Sequence, residues 1–474
     1  LSDPAAQPKF EQLVPNALDP AFRFEPETSG PLAGQYDVAV RQTVHHTGLR
    51  RGGTGALLPT TVWGYGYGDE RGVTWPGRTF QVRSGDPTTV RWNNQLTRAN
   101  GRPLRHLLPV DTSLHWCYSL PGYEQYSINR HGVPIVTHLH GGHSDFQFDG
   151  NPEFFWSPGY EIVGPQWFEN GLDGLIEDFV YHNDQPAGSL WYHDHALGLT
   201  RLNVYAGMAG FYFVRDDQDT GAPDNPLGLP AYPYEMALAI QDRMFGDRGD
   251  LFYPAFPGDP FYDDFITGEG AELPRNIFGG GGPTALAEVF GDHMVVNGKI
   301  WPRADVEPRH YRLRLLNGCD SRFLVLRLRP AAPDATDLEG AGAPLPFTVI
   351  GSDQGLASSA TEVDTLVVEP GGRYDVVVDF ALADGHRVIV ENVAGDAPFG
   401  GDYGDDLSPE DLFPDRQTDR VMAFDVVVPL APSIGDSFDP TAIAGATAAP
   451  SAVTTRRVAL FEGTDEFGRL QPLL

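Results

Sequence analysis

The chain has 474 residues, with 64 Asp or Glu against 33 Lys or Arg, so its formal net charge is −31. A surface this acidic repels nucleic acid and anionic membranes, and no apolar run approaches the roughly eighteen residues needed to span a bilayer. No nucleic-acid or membrane partner is therefore expected. Only two of the cations are lysines, Lys9 and Lys299. Acids scattered over the whole chain, with lysine nearly absent, suit a habitat where salt screens like charges at short range, so a halophilic protein is expected. The first residue is Leu1 and not methionine, which fits removal of a signal peptide and a secreted or cell-surface location. Two cysteines, Cys117 and Cys319, are too few for a disulfide framework. They are read either as one long-range disulfide or as two buried thiols.

Residues 1–34 are Pro-rich and aperiodic, an N-terminal arm. From Gln35 the texture changes to short β-rich runs broken by Gly, Asp and Pro: "QYDVAVRQTVHH", "RTFQVRSGDPTTVRWNNQL", "PIVTHLHGGH". This is the strand-and-turn rhythm of a β-sandwich, and "AGMAGFYFVRDD" reads as a buried last strand. The first sandwich is placed at 35–217. Strands resume at "EMALAIQDRMF" and continue through "HYRLRLLNG", "FTVIGSDQGL", "VDTLVVEPGGRYDVVVDF" and "HRVIVENVAG". They define a second sandwich at 218–430. The run Gly279 to Gly282 lacks the Lys-Ser/Thr of a phosphate loop and is read as a plain loop. Residues 431–452 read as a linker, and 453–474 as the opening strand of a third domain. No long helical period competes anywhere, so the fold class is all-β.

The chemistry concentrates in two His-x-His pairs, His138 with His140 and His193 with His195. In a strand, residues i and i+2 point to one face, so each pair projects two imidazoles together. Neutral imidazole suits copper, zinc and iron, and no Glu-x-x-His pattern accompanies the pairs. A cupin also uses His-x-His, but it wants a Glu four or five residues later. Ser144 and Asp145 stand there instead, and the second pair would go unexplained. Asp194, between two of the histidines, should face the opposite side of its strand, paired or solvated. His143 is not expected to be a ligand. His115, two residues before Cys117, lacks the further His and Met of a blue-copper site and is read as structural.

The segments "HLHGG", "WYHDHALGLTRLNVYAGMAGFY", "VNGKIWP" and "PGGRYDVVVDF" resemble the multicopper oxidases. With "TTVWGYGYG", "WPGRTFQV" and "HLLPVDTSLHW" they resemble the branch of spore-coat laccases, bilirubin oxidases and phenoxazinone synthases, and the acidic composition points to haloarchaeal laccases. The likeness runs from about Asp37 to Leu474. It implies cupredoxin-like Greek-key sandwiches and copper as cofactor. It also implies one-electron oxidation of a small aromatic substrate (a phenol or aryl amine, or else bilirubin or a metal ion), coupled to four-electron reduction of dioxygen to water. On the family's pattern His138 would ligate a type-2 copper, and His140, His193 and His195 a type-3 pair. Asp149 matches a family acid that assists proton delivery to the copper cluster. From the residues alone Asp149 is equally an acid in an Asp-Gly turn.

The sequence departs from the family after the second sandwich. The family's third domain carries His-Pro-x-His-x-His and His-Cys-His. Here the last histidine is His386, and neither cysteine is flanked by histidines. The type-1 copper site is therefore expected in a C-terminal part missing from this chain, either absent or carried on a second polypeptide, and oxidase activity is expected only if that part is supplied. The competing reading is a two-domain copper-binding protein without complete oxidase activity.

Overall fold

The computed structural model describes residues 1–69, 72–169, 171–444 and 454–473. Period-two alternation produces eight strands in the first half: β1 (Tyr36–His45), β2 (Thr60–Tyr67), β3 (Gly77–Arg83), β4 (Thr88–Asn94), β5 (Thr137–His140), β6 (Asp178–Tyr181), β7 (Gly188–Asp194) and β8 (Ala209–Arg215). They form two four-stranded sheets, ordered β2-β1-β4-β6 and β3-β8-β7-β5. The β1–β4 and β3–β8 pairings are parallel, so the connections cross between sheets. Val38, Val40 and Trp92 from one sheet meet Phe80, Leu190 and Tyr212 from the other in a single apolar core.

β7 is buried at every position. A sheet exposed on one face would alternate, so both faces of β7 must be covered. Leu190 and Tyr192 point into the first sandwich. Trp191, with Phe211 and Phe213 of β8, packs instead against Ala237, Ala239 and Leu316. Ala237 and Ala239 lie on β9 (Glu235–Phe245), a strand of an eight-stranded sheet. That sheet and a five-stranded partner form the second sandwich, with Leu238, Leu313, Leu328 and Phe424 in its core.

Between the sandwiches lies a layer of buried charge. Arg312 bonds both Asp219 and Asp375, Arg314 bonds Glu235, and Arg215 bonds Glu235 and Asp219, at 2.5–3.0 Å. Arg314 also donates to Ser189 Oγ of β7 at 2.9 Å. The N-terminal arm spans both units through parallel bridges, Leu13 with Arg303 and Arg23 with Thr79. Phe10 and Leu18 are its buried anchors. Lys9 sits 3.9 Å over the Trp301 ring and donates to the carbonyls of Pro4 and Gln7. Lys299 donates to the His46 carbonyl. Both lysines are thus engaged by backbone.

The end of the chain corrects one expectation. Instead of a single opening strand there is an antiparallel hairpin, Phe461–Thr464 with Leu470–Leu473. It is held by Arg469, whose guanidinium pairs with the buried Asp111 at 2.5 Å and donates to Thr284 Oγ1. The described part of 431–452 packs on the second sandwich: Ile443 is buried with Leu229, Ile350 and Val377. Among the described residues no helix is long and apolar enough to cross a membrane.

Candidate metal centre

The two His-x-His pairs occupy adjacent antiparallel strands, β5 and β7, with His138 directly opposite His193. His195 lies just past β7, and its N–H donates to the Val136 carbonyl at 2.7 Å. All four imidazoles therefore share the outer face of one sheet. The ring centroids of His138 lie 5.6, 5.3 and 5.2 Å from those of His140, His193 and His195. One nitrogen from each of His138, His140 and His193 falls within 4.8 Å of the others, and among the described residues this is the one such group of three or more metal-capable side chains. The rings line a cavity of about 540 Å³, closed on its far side by Tyr205, Arg243, Cys319 and Gly371.

The hydrogen bonding leaves these rings ready to accept a cation. His193 Nδ1 donates to the Asp194 carbonyl at 2.8 Å, so its lone pair is on Nε2, where it accepts from His140 Nδ1. His138 Nδ1 donates in the same way to the Asp149 carbonyl. His140 Nδ1 and His193 Nε2 face each other at 3.3 Å. His195 Nδ1 is buried with no partner at all. Leaving a buried polar atom unsatisfied costs about 1–3 kcal/mol, and a metal ion would relieve that cost. Protonation is disfavoured. Burial, helped by the Arg373 guanidinium and the neighbouring rings, pushes His140 down to about 3. Burial likewise pushes His193 well below its ordinary value and lowers His195. Nitrogen donors held neutral in a shared pocket fit copper among other imidazole-seeking metals.

Asp149 stands beside this group. Its carboxylate lies 3.5 Å from His138 Nδ1, half-exposed, and burial raises its pKa against the pull of His138. Gly150 (φ +78°) is required here, because a Cβ would come within 2.6 Å of His138 Cα. Asp194 points inward, as its parity demands, and is fully buried. It accepts from the N–H groups of Val136 and Ala196 and from Asn203, while burial pushes it up to about 7. His143 turns away and pairs with Asp184 on the surface. His115 takes no part in lining the cavity. Both cysteines are buried free thiols, raised by burial.

Trp191 was not singled out from the sequence, although its parity with His193 places it on the same face. It stacks on His140 at 5.1 Å and lies 4.2 Å from His193. Arg373 is the other omission. It reaches the site from the second sandwich, bonding the carbonyls of Ser189 and Gly371, and no local pattern announces that contact.

An all-β chain of two sandwiches with a four-imidazole pocket on the outer face of one sheet has the architecture of a metal-binding protein. No family model matches the chain. Its relatives are more informative. A laccase from Bacillus stratosphericus is 33% identical over 450 residues, covering 94% of this chain and 72% of the relative. A laccase from Bacillus subtilis is 32% identical, covering 88% and 65%. A laccase from Haloferax volcanii is 30% identical, covering 93% and 62%. The chain belongs to the multicopper oxidase family and is laccase-like. Among solved structures, the multicopper oxidase McoA from Aquifex aeolicus covers 98% of this chain and 73% of its own at a TM-score of 0.57 and 19% identity, a likeness of fold. These comparisons do not bear out the condition that activity waits on a missing C-terminal domain, and they lend no support to a second polypeptide.

Proposed function

We propose that the chain reduces dioxygen to water at copper ions held by His138, His140, His193 and His195, with electrons drawn from a small aromatic reductant such as a phenol or aryl amine. On the family's pattern His138 takes the type-2 position and the other three the type-3 positions. The observation that carries this reading is the convergence of four imidazoles, three of them held neutral by burial, on one cavity. Bound copper supplies the one-electron steps that let dioxygen accept four electrons in sequence. The protein's part is to aim and to protonate. The carbonyls of Asp149 and Asp194 hold the tautomers that put the lone pairs of His138 and His193 on Nε2 for metal. Trp191 fixes the ring planes of His140 and His193 by stacking. Asp149, half-open and with its carboxylate 3.5 Å from His138 Nδ1, is placed to relay protons from solvent to the reduction that consumes them.

The test is copper content and dioxygen uptake with 2,6-dimethoxyphenol as reductant. His138→Ala and His193→Ala should lose copper and all uptake. Asp149→Asn should keep its copper and slow turnover about 100-fold, the lower range for a lost proton donor. Copper bound without any dioxygen uptake in the parent protein would favour the copper-binding module and overturn the oxidase reading. The acid excess and the scarcity of lysine support a halophilic setting, in which the unfolding midpoint rises with added KCl.

A further inference from the structure

Behind the ligand strands runs a chain of three polar side chains that the copper reading does not use. It begins at His106, in the loop after β4. Nδ1 of His106 accepts from the Leu108 N–H at 3.0 Å, so the ring proton sits on Nε2. That Nε2 faces Asn203 Oδ1 at 3.1 Å and donates to it. Asn203 lies on the helix α1 (Thr200–Tyr205) and is fully buried. With its oxygen committed to His106, its amide nitrogen is aimed at Asp194 Oδ2, 2.7 Å away, and at the Pro134 carbonyl. The Asp194 carboxylate then accepts the N–H of Val136 with one oxygen and the N–H of Ala196 with the other, at 3.0 and 3.1 Å.

The direction of every bond in this chain follows from the first. Val136 stands two residues before His138, and Ala196 directly follows His195. The carboxylate of Asp194 therefore ties together the two backbones that carry the four imidazoles. Its grip depends on an amide that could otherwise flip, presenting oxygen to oxygen. His106 adds to the Asp194 carboxylate and the Pro134 carbonyl in forbidding the flip, and it is the one partner that holds the amide oxygen.

We propose that His106 and Asn203 are positioning residues that orient Asp194, and through it set the spacing of the two His-x-His pairs for metal. This rests on the copper reading above. Partners behind metal ligands typically contribute 10–100-fold in metal affinity, and a similar size is expected here.

The experiment measures Cu(II) affinity and the Cu(II) electron paramagnetic resonance spectrum of the full chain, beside the unfolding midpoint. Asn203→Leu and His106→Leu should bind Cu(II) at least tenfold more weakly, with altered hyperfine splitting. His106→Gln, whose amide can still donate to Asn203, should recover most of that loss and the parental spectrum. Thr418→Val serves as a stability control: Thr418 is buried in the second sandwich and bonds Asp396. It should lower the midpoint and leave the copper spectrum unchanged. Parental affinity and spectrum in both leucine variants would overturn the proposal, and so would an equal loss of copper in Thr418→Val. If Asn203→Leu does not fold, the His106 pair decides alone. A parent chain that binds no copper at all would instead overturn the reading on which the proposal stands.

Discussion

The histidine pocket and the charged layer between the sandwiches are both buried and polar, and they are built on opposite principles. In the charged layer, the three guanidiniums of Arg215, Arg312 and Arg314 are matched by the carboxylates of Asp219, Glu235 and Asp375. In the pocket His195 Nδ1 has no partner, and His140 Nδ1 has only another ring nitrogen, that of His193, to bond. Matched burial is what a structural joint requires, because an unpaired buried charge costs several kcal/mol. In the pocket the unpartnered nitrogen lies beside three further imidazoles, a set of lone pairs suited to a cation.

The largest test of this contrast breaks the joint. Glu235→Ala leaves Arg215 and Arg314 short of their partner inside the protein, and should cost about 3–5 kcal/mol in denaturant unfolding. A loss under about 1 kcal/mol would mean that water reaches the layer and the joint is not dry. Acid titration gives an intermediate effect and separates the two regions by pH. Burial holds His140 down to about 3 and the partly buried His106 down to about 4, against an ordinary 6.5. Their neutral forms are the folded ones, so stability should fall as pH drops from about 6.5 towards 4, by at most about 1.4 kcal/mol per pH unit for each group. Burial alone would raise Glu235, but Arg215, Arg314 and Arg312 hold it to about 2. Its contribution is complete above about 4.5 and is lost as pH falls through 2. Asp194, raised by burial to about 7, gains stability over the same upper range, so the histidine contribution is read as the difference between the parent and His106→Leu: the parent should lose ground relative to the variant as pH drops from about 6.5 towards 4, and a difference that does not change with pH would overturn it. The smallest effect is in the pocket itself. His140→Ala, at a half-buried ring lining an open cavity, should change metal-free stability by less than about 1 kcal/mol, since water can fill the space. A larger loss would make the pocket a structural element after all.

Much of this was legible in the residues. Period-two runs marked the strands, and the i, i+2 rule placed His138 with His140, and His193 with His195, on common faces. The same parity put Asp194 on the other side, where it is buried and triply bonded. Parity also offered Trp191, which went unremarked because an aromatic in a strand is ordinarily core. Contacts between distant segments were not legible. Nothing near Arg373 announces that it braces Ser189, and nothing near Leu13 announces its bridge to Arg303. The hairpin at the end of the chain was missed because its turn, Asp465 to Gly468, lies within a run read as one strand.

By itself the sequence determined the all-β class, the acidic surface, and the two imidazole pairs with their local geometry, because backbone period and net charge are local or additive properties. The tertiary structure decided that β5 and β7 are neighbours in register, that the second sandwich covers β7 and lines the histidine cavity with Arg243, Cys319 and Gly371, and that His106 reaches Asn203, which bonds Asp194. Those facts depend on which distant surfaces bury each other, and burial is a property of the whole chain that no short stretch of it carries.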